Sequence, residues 1–119
     1  GFQEHPTDLS VLSQNELDKH ARVVKDSITE DPALIASLRQ QDIELALAKP
    51  DLVRVDGQTQ VWQYRTQSCV LDIYWRGKDV TSKSASHYEF RARQNGDMQN
   101  QDEAAPWHCV QSIIQKRDI

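Results

Sequence analysis

The chain has 119 residues, enough for one domain of ordinary size and too few for two independent cores. Its formal charge of -4 at pH 7 gives no basic footprint for phosphate backbones or anionic lipid, which argues against nucleic-acid binding. Hydrophobic residues make up 38%, so the core is modest, and no run nears the ~20 apolar residues that span a bilayer.

The chain opens Gly1-Phe2 without Met, a charged n-region or an apolar h-region, so a signal segment is expected to be absent or already removed. Residues 1–14 (GFQEHPTDLSVLSQ) show no clear period and read as a flexible N-terminal arm ahead of a single α+β domain over 15–119. Leu17, Ala21, Val24 and Ile28 then fall at steps of four, three and four, which aligns one face of a helix over Asn15–Ile28. Asp31-Pro32 reads as an N-cap and a first helical position, since proline lacks a donor where none is needed. Leu34, Ile35 and Leu38 give that segment its apolar side. A shorter helix runs from Gln41 to Ala48, with Ile43 and Leu47 four apart, and Pro50 ends it.

Beyond Pro50 the period becomes two. Leu52, Val53 and Val55 lead through the turn DGQTQ (56–60) into an extended Val61–Arg65, predicting an antiparallel hairpin. The third strand, Cys69–Trp75, alternates so that Cys69, Leu71, Ile73 and Trp75 share the apolar face, with Val70, Asp72 and Tyr74 opposite. Residues 76–84 are polar and contain a glycine, which makes them a turn. Strand four, Ala85–Arg93, sets Tyr88 and Phe90 opposite Glu89 and Arg91. Residues 94–105 (QNGDMQNQDEAA) are the least hydrophobic run and are expected to form a mobile loop. Pro106 opens a last short helix with Trp107, Val110, Ile113 and Ile114 on one side.

The aromatic cluster in VWQYRTQSCVLDIYW (61–75) has two readings. Strand parity gives Trp62 and Tyr64 the same face as Leu71, Ile73 and Trp75, which predicts a sheet face packed on helices. A ligand pocket around Trp62, Tyr64 and Trp75 is the alternative.

The two cysteines, Cys69 and Cys109, stand 40 positions apart, in neither a CxxC nor a zinc spacing. A disulfide between them would pin the last helix to the sheet; two buried free thiols in a cytosolic protein are the alternative. No catalytic, cofactor-binding or metal-ligating set emerges. His5, His20, His87 and His108 are not spaced with a second ligand, and adjacent His108 and Cys109 would point about 100° apart on a helix. Neither GxxxxGK nor GxGxxG occurs, and Glu16, Asp18, Glu30, Asp31 and Asp42 read as caps and solvated helix faces.

Across LALAKPDLVRVDGQTQVWQYRTQSCVLDIYW runs a short helix, x-Pro, an Arg before an acidic-Gly turn, then W-Q-Y and C-x-L-D. Over about residues 31–75 this resembles the SmpA/OmlA (BamE-like) lipoproteins of the bacterial envelope, with strand four and the last helix as additions. The resemblance implies two helices on one face of a three-stranded antiparallel sheet, periplasmic residence, outer-membrane anchoring through a lipid on an N-terminal Cys that this chain lacks, and a non-enzymatic role in envelope assembly. The family usually has Gly where this chain has Ala48, which points to a different cap geometry here.

The expected fold is therefore α+β, with N-terminal helices on one face of a three- to four-stranded antiparallel sheet and a disulfide-tied C-terminal helix. The leading functional expectation is a non-enzymatic protein-binding or scaffold module with a protein partner in the envelope, without nucleic acid and touching the membrane only through an N-terminal anchor. Parity leaves Gln63, Arg65, Asp72, Tyr74, Glu89, Arg91 and Arg93 on the open sheet face, and Arg65, Asp72, Tyr74, Arg91 and Arg93 form the candidate partner surface. A secreted inhibitor of an enzyme and a small-ligand carrier are the competing readings.

Overall fold

A computed structural model describes residues 9–77, 84–94, 97–98 and 106–117. After a 3-10 turn at Leu9–Val11, helix α1 spans Gln14–Glu30. A 3-10 segment follows at Pro32–Ser37, then helix α2 at Gln40–Leu47. Strands β1 (Leu52–Asp56), β2 (Thr59–Arg65), β3 (Cys69–Arg76), β4 (Ser84–Gln94) and β5 (Asp97–Met98) come next, and helix α3 (Pro106–Arg117) closes the chain. The strands form one antiparallel sheet in sequence order, β1-β2-β3-β4-β5.

Helix α1 starts where its sequence can cap it. Ser13 takes the N-cap: its hydroxyl accepts from the Glu16 backbone N–H at 3.2 Å, and Glu16 Oε1 accepts from the Ser13 N–H at 2.9 Å. That backbone bond, with the Ser13 hydroxyl, holds the Glu16 carboxyl below the usual carboxylate range. The predicted stripe is the observed one, for Val24 and Ile28 are buried and Leu17 and Ala21 half-buried. The next segment departs from expectation: it is a six-residue 3-10 helix, and the Asp31 side chain makes no capping bond. Of its apolar residues Ile35 is fully buried, while Leu34 is exposed. Six residues make about two 3-10 turns before the Arg39 bridge to Ser84, too short a run to gain much from α geometry.

The first hairpin is tighter than the predicted loop. Asp56 pairs with Thr59, which leaves two loop residues, and Gly57 (φ 62°) takes the first loop position, where type II′ turns place glycine. The register puts Trp62 opposite Ile73 and Tyr64 opposite Leu71, as parity requires. These side chains, with Trp75 and Phe90, meet Ile28, Ile35, Ile43, Leu47, Val110 and Ile113 in the core. Trp62 and Trp75 touch edge to face with ring centroids 5.4 Å apart.

In the run expected to be a loop, residues 97 and 98 instead pair with Gln94 and Arg93; the rest of 95–105 lies outside the described residues, as do 1–8 of the predicted arm and 78–83 of the predicted turn. Helix α3 buries Cys109, Val110 and Ile113, but Trp107, expected on the same side, is 53% exposed. At about 100° per residue Trp107 falls roughly 110° round the helix from the middle of that stripe. Its ring lies against His108 instead, 5.5 Å away.

Cys69 and Cys109 are bonded, with their Cα atoms 5.7 Å apart, and both are almost wholly enclosed. Beside the bridge the Thr66 hydroxyl accepts from the Cys69 N–H at 3.1 Å and lies 3.1 Å from the Ser112 hydroxyl, so the β2–β3 turn is tied to α3 twice.

Ala48 ends α2 with φ 67° and ψ -168°. The different cap geometry expected from alanine at this position is therefore not found: Ala48 adopts the positive φ that favours glycine. Hydrogen bonds hold it there. Tyr64 donates its hydroxyl to the Ala48 carbonyl at 2.7 Å, and Arg117 donates to the Leu47 and Lys49 carbonyls at 3.1 and 3.2 Å.

Candidate functional site

The open face of the sheet carries Val61, Gln63 and Arg65 from β2, then Tyr74, Asp72 and Val70 from β3, then His87, Glu89 and Arg91 from β4, each in cross-strand register. It is less open than parity alone suggests. Val61, Val70 and Asp72 are all buried. Long side chains on the flanking strands fold over the central one: Gln63 donates Nε2 to Asp72 Oδ1 at 2.8 Å, and Arg91 donates Nη2 to Asp72 Oδ2. Asp72 is thus a buried anchor held between two strands, while the Arg91 side chain remains 41% exposed.

The other candidate residues lie around that anchor. Tyr74 is half-buried with its ring 5.4 Å from that of His87, and Arg65 is exposed with Nε 2.6 Å from Gln63 Oε1. Arg93 continues past Arg91 to the end of the sheet, where its Nη1 donates to the Thr66 carbonyl at 2.9 Å. Arg65, Arg91 and Arg93 therefore gather at one end of the sheet, and Arg65, Val70, Arg91 and Arg93 border a shallow cleft of about 190 Å³ there.

Sequence reasoning missed the contribution of α3 to this end of the domain. Lys116 donates Nζ to the Arg65 carbonyl at 2.7 Å and approaches Asp51 Oδ1 at 3.4 Å, while Arg117 Nη2 donates to Asp51 Oδ2 at 3.2 Å. Burial pushes the Asp51 carboxyl up, but the Arg65 backbone N–H, the Arg117 bond and the charges of Arg117 and Lys116 together hold it below the usual carboxylate range. The sequence did carry a signal, the adjacent Lys116-Arg117 in the last turn of a helix expected to dock on the sheet.

The three residues of the alternative pocket reading, Trp62, Tyr64 and Trp75, all pack in the core. Tyr64 and Trp75 are fully enclosed, and burial, with the Glu44 charge, drives the Tyr64 phenol far up, opposed by Arg117, whose guanidinium sits 5.6 Å from the ring centre. Trp62 edges onto a cleft of about 470 Å³ shared with Leu9, Leu17, Gln40 and Glu44, and its indole N–H donates to Gln60 Oε1 at 3.1 Å. Of the histidines, His20 Nε2 lies 2.8 Å from Asp42 Oδ1, tying α1 to α2, and His87 Nε2 lies 3.9 Å from Glu89. Among the described residues no group of three or more His, Cys, Asp or Glu side chains could hold a metal ion, and no helix is long and apolar enough to cross a membrane. No protein-family model, curated protein or solved structure matches the chain.

Proposed function

We propose that the chain is a non-enzymatic protein-binding module of the bacterial cell envelope, working in an oxidising compartment such as the periplasm. The observation that carries the reading is the enclosed Cys69–Cys109 disulfide, because such bridges persist in secreted and periplasmic proteins and are rare where thiols are kept reduced. A filled aromatic core beside a sheet face that carries Tyr74 with Arg65, Arg91 and Arg93 supports a contact surface over a carrier cavity. The resemblance of residues 31–75 to the SmpA/OmlA lipoproteins agrees with the same compartment and with a role in envelope assembly.

The test is retention of envelope proteins on the immobilised chain, comparing the parent with Tyr74→Ala and Arg65→Ala. Neither residue anchors the core, so both variants should melt like the parent and retain less of a specific partner. Identical retention would overturn this surface as the binding face. Recovery of both cysteines as free thiols from cells would overturn the compartment.

A further inference from the structure

Strand β1 forms one edge of the sheet, and its outer side has no strand beside it among the described residues. Every residue from Leu52 to Asp56 is exposed, Val53 to 46% and Val55 to 70%. Edges of this kind are ordinarily blunted by proline, lysine, bulges or inward-pointing charges, because their free backbone groups pair readily with another chain. The strand LVRVD carries neither proline nor lysine, and its two charges are of opposite sign. Register on β2 sorts its side chains. Val53 and Val55 lie opposite Trp62 and Gln60 on the helix side, where Gln40 of α2 bonds Gln60. Arg54 and Asp56 lie opposite Val61 and Thr59 on the open side, and neither side chain has a partner among the described residues. The closing pair of the hairpin, Asp56 and Thr59, faces inward across its two-residue turn, so alternation points the backbone N–H and C=O of Val53 and Val55 outward.

We propose that β1 is a self-association edge, to which a second copy of the chain adds its own β1 antiparallel about a two-fold axis at Val55. The proposal goes beyond the envelope reading and does not depend on it. Symmetry leaves few registers, because paired residues must both point their backbone groups toward the partner or both point them away. A pairing centred on Arg54 sets two guanidiniums face to face, which is destabilising. One centred on Val53 sets Arg54 against Leu52 and Asp56 against Pro50, so neither charge meets its opposite. The pairing centred on Val55 sets Arg54 opposite Asp56 of the second copy, twice, and Val55 against Val55. Val53 of each copy then lies diagonal to Val55 of the other, so four valines cover one another on the helix side. Regular pairing stops at Gly57, whose φ of 62° leaves the extended region, so the interface is short and the dimer weak.

The experiment is sedimentation equilibrium of the purified chain over a concentration series reaching the millimolar range, with each variant checked by thermal melting. The parent should show a monomer–dimer equilibrium that weakens with added salt. Arg54→Asp should lower the dimer affinity about tenfold or more, since it turns two attractions into two repulsions. Adding Asp56→Arg to Arg54→Asp should restore it, because only the Val55-centred register sets these two positions opposite each other. Val55→Cys should cross-link two copies under a glutathione redox buffer, the paired Cα atoms lying about 5.5 Å apart, and Val53→Cys should not. A parent that stays monomeric throughout the series would overturn the proposal and leave the edge to a foreign strand. Undiminished dimerisation of Arg54→Asp, or cross-linking at position 53 as readily as at 55, would overturn it as well. So would a doubly substituted chain that melts like the parent and stays monomeric.

Discussion

Replacing Ala48 by glycine should stabilise this protein, although it removes a methyl group and loosens the unfolded chain. At φ 67° and ψ -168° the residue sits in a region that is essentially reserved for glycine, and a non-glycine there stores about 1–3 kcal/mol of strain. Glycine costs about 0.5–1 kcal/mol in additional chain entropy. The methyl contributes little packing, since Ala48 is exposed. The balance is a gain of about 1 kcal/mol, and at most about 2.5 kcal/mol, so the expected increase in Tm is roughly 4 °C for a domain of this length. The conformation itself should persist, because Tyr64 and Arg117 fix the carbonyls of residues 47 to 49 from two different elements. Thermal melting followed by circular dichroism, with urea unfolding to check that the m-value is unchanged, measures the effect. Ala48→Val in the same assay should be strongly destabilising, since a β-branched residue tolerates positive φ worst. A glycine variant that melts at or below the parent, or a valine variant that melts with it, would refute the assignment of strain to this cap.

The disulfide closes a separation of 40 residues, so Cys69→Ala with Cys109→Ala should cost about 4 kcal/mol from chain entropy; a double variant melting within a few degrees of the parent would count against it. With both sulfurs enclosed, reduction of the native protein should be slow and accelerate in denaturant, as read by alkylation and intact mass. Arg91→Ala should cost about 3–5 kcal/mol because it strands a buried carboxylate, whereas Asp72→Ala should cost only about 1–3 kcal/mol because Arg91 is part-exposed and stays hydrated; equal losses in urea unfolding would contradict this asymmetry. Asp51 has a lowered folded pKa, so its contribution is present above the ordinary carboxylate pKa and is lost as pH falls through the folded value. Asp51→Asn should therefore cost up to about 1 kcal/mol near neutrality, and its melting temperature should converge with the parent's as pH falls below about 4.

Most of the fold was legible because its signals are local and periodic. The α1 stripe of Leu17, Ala21, Val24 and Ile28 and the alternation along Cys69–Trp75 each depend on neighbours within a few residues. What escaped depends on tertiary closure. The Asp31-Pro32 start was visible, but whether the segment became α or 3-10 depended on how soon Arg39 had to reach Ser84. The exposure of Trp107 depended on which side of α3 the disulfide turned toward the sheet, and Cys109, Val110 and Ile113 took that side.

The candidate site was legible by face and not by depth. Parity assigns Asp72 and Tyr74 to the open side correctly, yet it treats every position on that side as equally wet. Asp72 lies on a central strand between Gln63 and Arg91, both long enough to close over it, so its carboxylate became the buried anchor of the face. The same closure bonds Asp51 to Lys116 and Arg117, 65 and 66 positions away in the chain. Asp72 is thereby buried within the sheet, while Asp51 stays exposed with its carboxylate bonded to α3. The contacts of α3 with the start of β1 and the end of β2 are thus set by tertiary closure and by the disulfide, and composition alone does not encode them.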